Sequence, residues 1–155
     1  ASFEGIRDFV QQYHGNRDHP LLQDYLRVLR EHAPDPDSFD AFAHQWFHEV
    51  VVPEYRFTDA ATQRNGDGWM TTATLENVGT GRIEVDVAAV TGERFPDEGA
   101  EAETVDWQES RTTLVLAAGE QRALTFETAF EPTKLVVDPD AKVLMLERSR
   151  AEQAL

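Results

Sequence analysis

The sequence contains no cysteine, only two lysines, two methionines, and no long apolar run. Without cysteine there is no disulfide framework, no thiolate zinc site and no cysteine nucleophile. Compartment stays open, because cysteine-free domains occur on both sides of a bacterial membrane. The two lysines, Lys134 and Lys142, belong to no catalytic motif. The run of Val50, Val51 and Val52 is cut off by Pro53, and nothing approaches the roughly 20 apolar residues of a membrane-crossing helix. No charged-then-apolar signal opens the chain. Positive charge is scarce as well: 14 basic residues face 29 acidic ones, for a formal charge of -15. Both parts of the chain share the excess, residues 1–50 holding nine acids against four bases. Such a field repels phosphate backbones and anionic headgroups, so neither nucleic acid nor direct membrane insertion is expected.

What is present is globular in composition. The 155 residues are 41% hydrophobic, with nine Phe, three Trp and three Tyr, enough for one good core and a small appendage. The Ala-Ser start without Met is expected of a piece of a longer chain.

The first 50 residues carry helical periodicity. Ser2 is placed to cap a helix with Phe3, Ile6, Val10 and Tyr13 on one face, stopped at His14-Gly15. A second helix is expected from Asp18, with Pro20 in its first turn and Leu21, Leu22, Tyr25, Leu26, Val28 and Leu29 as its apolar set, ending at "APDP". Asp37 or Ser38 is expected to cap a third helix. Its stripe of Phe39, Phe42, Ala43, Trp46, Phe47 and Val50 runs on to Pro53. Beyond Pro53 the period falls to two. Ile83, Val85, Val87 and Ala89 alternate with Glu84, Asp86 and Ala88, after a turn supplied by Asn77, Gly79 and Gly81. Further strands are predicted at residues 54–58, 111–116, 121–130, 134–137 and 142–147, with punctuation at "AAGEQ", "EPT" and "DPD". The fold class is therefore α+β: a three-helix segment at residues 1–52, an antiparallel immunoglobulin-like β-sandwich of about seven strands at 53–148, and a C-terminal tail at 149–155. Residues 91–106 form a long acidic loop that has room for one more edge strand.

The stretch "HEVVVPE" at 48–54 raises the question of a zinc-peptidase helix, His-Glu-x-x-His, but Val52 stands where the second histidine belongs. At about 100° per residue, His48 lies roughly 170° and His44 roughly 130° from the centre of the apolar stripe. Both imidazoles are thus expected to face water. They form an i, i+4 pair, but zinc requires at least a third ligand. Trp46 and Trp69 read as core residues, whereas Trp107, beside the acidic loop, is the least committed aromatic. Asp97, Glu98, Glu101, Glu103 and Asp106 match no calcium-loop spacing. "VDPD" at 137–140 reads as a turn between the last two strands. No nucleophile elbow or phosphate-cradling loop is present. No catalytic, cofactor-binding or metal-ligating residue is assigned, and no cofactor is expected.

Three stretches, "FDAFAHQWFHEVVVPEYRF", "GWMTTATLENVGTGRIEVDVAAVTGERFPDEG" and "TTLVLAAGEQRALTFETAFEPTKLVVDPDAKVLMLER", resemble the C-terminal region of bacterial aminopeptidase N-like zinc metallopeptidases, particularly those fused to permease segments. The resemblance spans most of residues 39–148 and rests on structural motifs. It implies that the metal helix belongs to a catalytic domain preceding this segment, and that no zinc or catalytic position falls within it. The helices would then be the last of a larger helical lobe, and the sandwich an accessory module. An extracytoplasmic setting, as part of a bacterial membrane protein, is compatible with this. The partner implied is the catalytic domain of the same parent chain. Removal of that cover should leave some of Phe3, Ile6, Val10, Leu22, Tyr25 and Leu29 as an exposed apolar face open to self-association. Two other readings compete. One is a free-standing immunoglobulin-like module binding a peptide or glycan near Trp107. The other is an enzyme using His44, His48 and acids of the loop.

Overall fold

The computed structural model describes residues 3–15, 19–94 and 106–155 of a chain that divides into two compact units, Ala1–Val50 and Val51–Leu155.

The first unit contains α1 (Phe3–Tyr13), α2 (Leu22–Glu31) and α3 (Pro36–Ala43), the last continued by a π-helical turn, His44–His48. α1 ends where His14-Gly15 predicts, while its expected cap, Ser2, lies outside the described residues. The face of α1 that meets α2 is not the expected stripe. Gly5 is buried there, because a Cβ would come within 2.9 Å of Leu29 Cδ2, and Phe9 sets an edge against Tyr25 at 5.1 Å. Phe3, Ile6 and Val10 are consequently turned outward. α2 begins later than expected. Asp18 lies outside the described residues and Pro20 precedes the helix, so the amide of Leu21 is satisfied instead by Asp24 Oδ2 at 3.0 Å. α3 begins earlier than expected. Its cap is Asp35, not Asp37 or Ser38: Asp35 Oδ1 accepts from the amides of Asp37 at 3.1 Å and Ser38 at 3.3 Å. Pro36 explains the shift, since proline fits the first helical position and moves the cap to the residue before it. The stripe does not run to Pro53 as one α-helix. It widens into the π-turn at His44, and Glu49 is already extended. Among the described residues of α1 to α3, only Gly5, Val28, Leu29 and Ala43 are buried.

The described residues of the second unit form seven strands: β1 (Tyr55–Asn65), β2 (Gly68–Asn77), β3 (Glu84–Thr91), β4 (Gln108–Val115), β5 (Gln121–Thr128), β6 (Lys134–Val137) and β7 (Glu152–Ala154); most of the stretch with room for one more edge strand lies outside the described residues. They form two antiparallel sheets, β1-β2-β5 and β4-β3-β6-β7, which face each other as an immunoglobulin-like sandwich. Period-two alternation places Tyr55, Phe57, Ala73, Leu75, Leu124 and Phe126 of one sheet against Val85, Val87, Ala89, Leu114, Leu135 and Val137 of the other, all buried. Strand β1 is longer than predicted. It closes a hairpin with β2 through Gly66, whose φ of 60° needs glycine, at the "NGDG" signal. A bulge between Thr58 and Ala61, with Asp59 at φ 53°, interrupts its free edge.

The turn at Asn77, Gly79 and Gly81 does not make a hairpin of the two alternating runs; it carries the chain from one sheet to the other. Asn77 is fully buried and donates Nδ2 to the carbonyls of Gly81 at 2.8 Å and Leu116 at 3.0 Å. Its Oδ1 accepts from Gly79 N at 3.0 Å. The entering segment beside it is gripped through its backbone: Thr80 N donates to Val52 O at 2.9 Å and Val78 N to Glu54 O at 2.8 Å. A Cβ on Gly79 would collide with Val52 O and Glu54 N, so glycine permits the close approach.

The C-terminal end differs most from expectation. Residues 142–147, which alternate like a last strand, bury Val143 and Met145 and expose Leu144 and Leu146, but do not join a sheet. Residues 149–155, expected as a tail, contribute to a 3-10 turn (Arg148–Ala151) and then β7, which pairs with β6 at the sheet edge. Asp138 is the physical reason: its carboxylate takes the amides of Lys142 and Val143 that strand pairing would have used.

Candidate functional site

Three places in the described residues bring polar chemistry or open apolar surface together. On the helical unit, a groove of about 390 Å³ is lined by Leu26, Phe39, Ala43, His44 and His48, with Arg30 and Asp40 at its rim. Arg30 Nε donates to Asp40 Oδ1 at 2.8 Å, tying α2 to α3. His44 and His48 are both exposed, as the helical angles predict, with ring centroids 6.0 Å apart. Glu49 Oε1 lies 3.3 Å from His44 Nδ1. Among the described residues no group of three or more His, Cys, Asp or Glu side chains is placed to hold a metal ion. The pair offers two ligands, one fewer than a catalytic zinc site uses and two fewer than a closed one.

The second place is the outer face of the four-stranded sheet. Ala88, Val90 and Val136 are buried there, with Trp107 packed half-buried over them. Arg94 sets its guanidinium 6.0 Å from the Trp107 ring, and Trp107 Nε1 donates to Glu109 Oε2 at 3.3 Å. A groove of about 340 Å³ runs beside the indole, with Val136 in its lining and Lys134 and Glu152 among its polar groups. Next to it, Arg111 bridges three carboxylates: Asp140 at 2.7 Å, Glu109 at 2.8 Å and Asp86 at 3.2 Å. Arg94 and Lys142 also bind Asp140. Arg111 foremost, then Lys142 and Arg94, hold the Asp140 carboxyl well below the usual carboxylate range. The Thr113 hydroxyl, at 2.6 Å, is the main cause that lowers Asp86. Carboxylates so engaged are poor proton acceptors near neutral pH, which fits anchoring better than general-base work.

The third place is the turn "VDPD". Asp138, 3% exposed and at φ 54°, accepts from Lys142 N at 2.9 Å, Val143 N at 2.8 Å and Arg148 Nη2 at 2.9 Å. Arg148 also donates to Val143 O at 2.7 Å. The fully buried Tyr55 hydroxyl has no hydrogen-bond partner among the described residues. Burial, and secondarily the charge of Asp138, push its pKa up to about 12. This knot was legible only as a turn.

The tryptophans divide differently from expectation. Trp46 and Trp69 are half-buried and neither belongs to the buried core. Trp46 joins an aromatic group with Phe42 at 6.4 Å, and Trp69 lies under Arg64 at 5.6 Å near the hairpin end. Of the acidic-loop residues, Asp97, Glu98, Glu101 and Glu103 lie outside the described residues; Asp106 is exposed.

No family model matches the chain. No curated protein matches it either. Among solved structures, a GH3 beta-glucosidase from Bifidobacterium adolescentis is similar over 66% of this chain, at 17% identity and a TM-score of 0.34. A beta-glucosidase from Erythrobacter marinus is similar over 55%, at 14% identity and a TM-score of 0.32. The chain spans 17% and 13% of the lengths of these two proteins.

Proposed function

We propose that the chain is a non-catalytic accessory region of an aminopeptidase N-like zinc metallopeptidase, whose helices and sandwich pack against and position the catalytic domain of the same parent chain. The observation that carries this reading is the state of the six side chains expected to lose cover. Phe3 is 91% exposed, Val10 54%, Ile6 43% and Leu22 40%, while Tyr25 is half-buried and Leu29 alone is buried. A monomer complete in itself rarely leaves large apolar side chains grouped on neighbouring helices. The gene upstream supplies the first test: a His-Glu-x-x-His helix in the preceding sequence is expected, and its absence overturns the reading. The second is a binding measurement between this chain and the upstream domain. Burial of one such side chain is worth about 1.5–3 kcal/mol, of which partial exposure leaves a fraction to gain. Changing Phe3, Ile6 and Val10 together to Ser should therefore weaken binding roughly 100-fold. Unchanged circular dichroism would show that the fold survives. Equal affinity of variant and parent would refute the proposed face.

A second reading, a module that binds a peptide or glycan, draws support from the groove beside Trp107. Under it, Trp107→Ala abolishes binding to a peptide or glycan array without altering association with the upstream domain. An array on which parent and variant behave alike removes it.

A further inference from the structure

We draw no further inference here: the strongest candidate, the apolar groove between α2 and the π-turn lined by Leu26, Phe39, Ala43, His44 and His48, is an uncovered face for which nothing in the structure shows what covers it.

Discussion

Replacing Asp138 should destabilise the sandwich more than any other single change at its surface loops. The carboxylate terminates β6, holds the amides of Lys142 and Val143, and receives Arg148 Nη2. In Asp138→Ala the amides of Lys142 and Val143 lose their acceptor, and Arg148 Nη2 keeps only Val143 O. The Val143 bond is buried and the other two partly so. An unsatisfied buried donor costs about 1–3 kcal/mol, and a part-buried one less because water reaches it. Alanine at φ 54° adds about 1 kcal/mol, since it tolerates the left-handed region less well than aspartate. The sum is about 3–5 kcal/mol, a large share of the stability of an ordinary domain. Asp138→Asn keeps the backbone tolerance and one acceptor oxygen, which can serve Val143 and Arg148 together only by aiming the amide donor at Lys142 N, so about half that loss is expected. Native-state hydrogen exchange is the suitable assay, because a chain of two units need not unfold in one step. The amides of Val87 and Leu135, in the two central strands, report global opening of the sandwich. A loss below about 1 kcal/mol for Asp138→Ala would refute the view that this carboxylate anchors the C-terminal segment.

Tyr55 and Gly79 supply two further tests. The Tyr55 hydroxyl titrates near pH 10 when unfolded but only at about 12 in the folded protein, so the unfolded chain releases its proton first. The contribution is fully present below pH 10 and lost as pH rises from 10 to 12. Tyr55→Phe should remove that component of the alkaline slope in urea-denaturation midpoints. It should cost little near neutrality, because it also removes a buried hydroxyl without a partner among the described residues; a Phe variant with an unchanged slope would disprove the assignment. Gly79→Ala should cost about 2–3 kcal/mol by overpacking against Val52 and Glu54. A thermal melt that shifts by less than about 2 °C would show that the turn yields instead.

The sandwich was largely readable because its signals are local. Val85, Val87 and Ala89 alternate, and the turn at Asn77, Gly79 and Gly81 carries its own steric reason. Which strands pair was not readable, since β2 and β3 adjoin in sequence but lie in opposite sheets. Residues 142–147 mislead for a definite reason. Their alternation is real and buries Val143 and Met145, but alternation reports which way side chains point, not whether the backbone is paired. Asp138 captures the needed amides from outside that stretch. The helical differences have separate causes, Pro36 moving the cap of α3 to Asp35 and the π-turn ending its stripe, while the face of α1 depends on a glycine. Periodicity gives a stripe, but Gly5 decides which face of α1 admits another helix, and a glycine adds nothing to a hydrophobic pattern. At the candidate sites, His44 and His48 are exposed as expected, but so are Phe42, Phe47 and Val50 of the stripe from which their angles were measured, because the π-turn breaks the 100° spacing. The convergence of Asp86, Glu109 and Asp140 on Arg111 joins three separate segments, which no sequence spacing encodes.

The two units differ in how they meet the entropy of folding, and that difference bears on function more than any single residue. Among the described residues the sandwich closes a core of sixteen buried residues, from Tyr55 to Ala151, and covers the outer face of its four-stranded sheet with Trp107 and the Arg111 network. The helices number 11, 10 and 8 residues, below the length at which isolated helices persist in water, so they depend on packing. Yet their internal packing buries only four residues among those described, while Phe3, Val10 and Leu22 face solvent. Under the proposed accessory role, cover comes from a domain of the same polypeptide, whose effective concentration is set by the linker rather than by solution concentration. Helices that are marginal alone, beside a sandwich that closes its own core, fit that proposal.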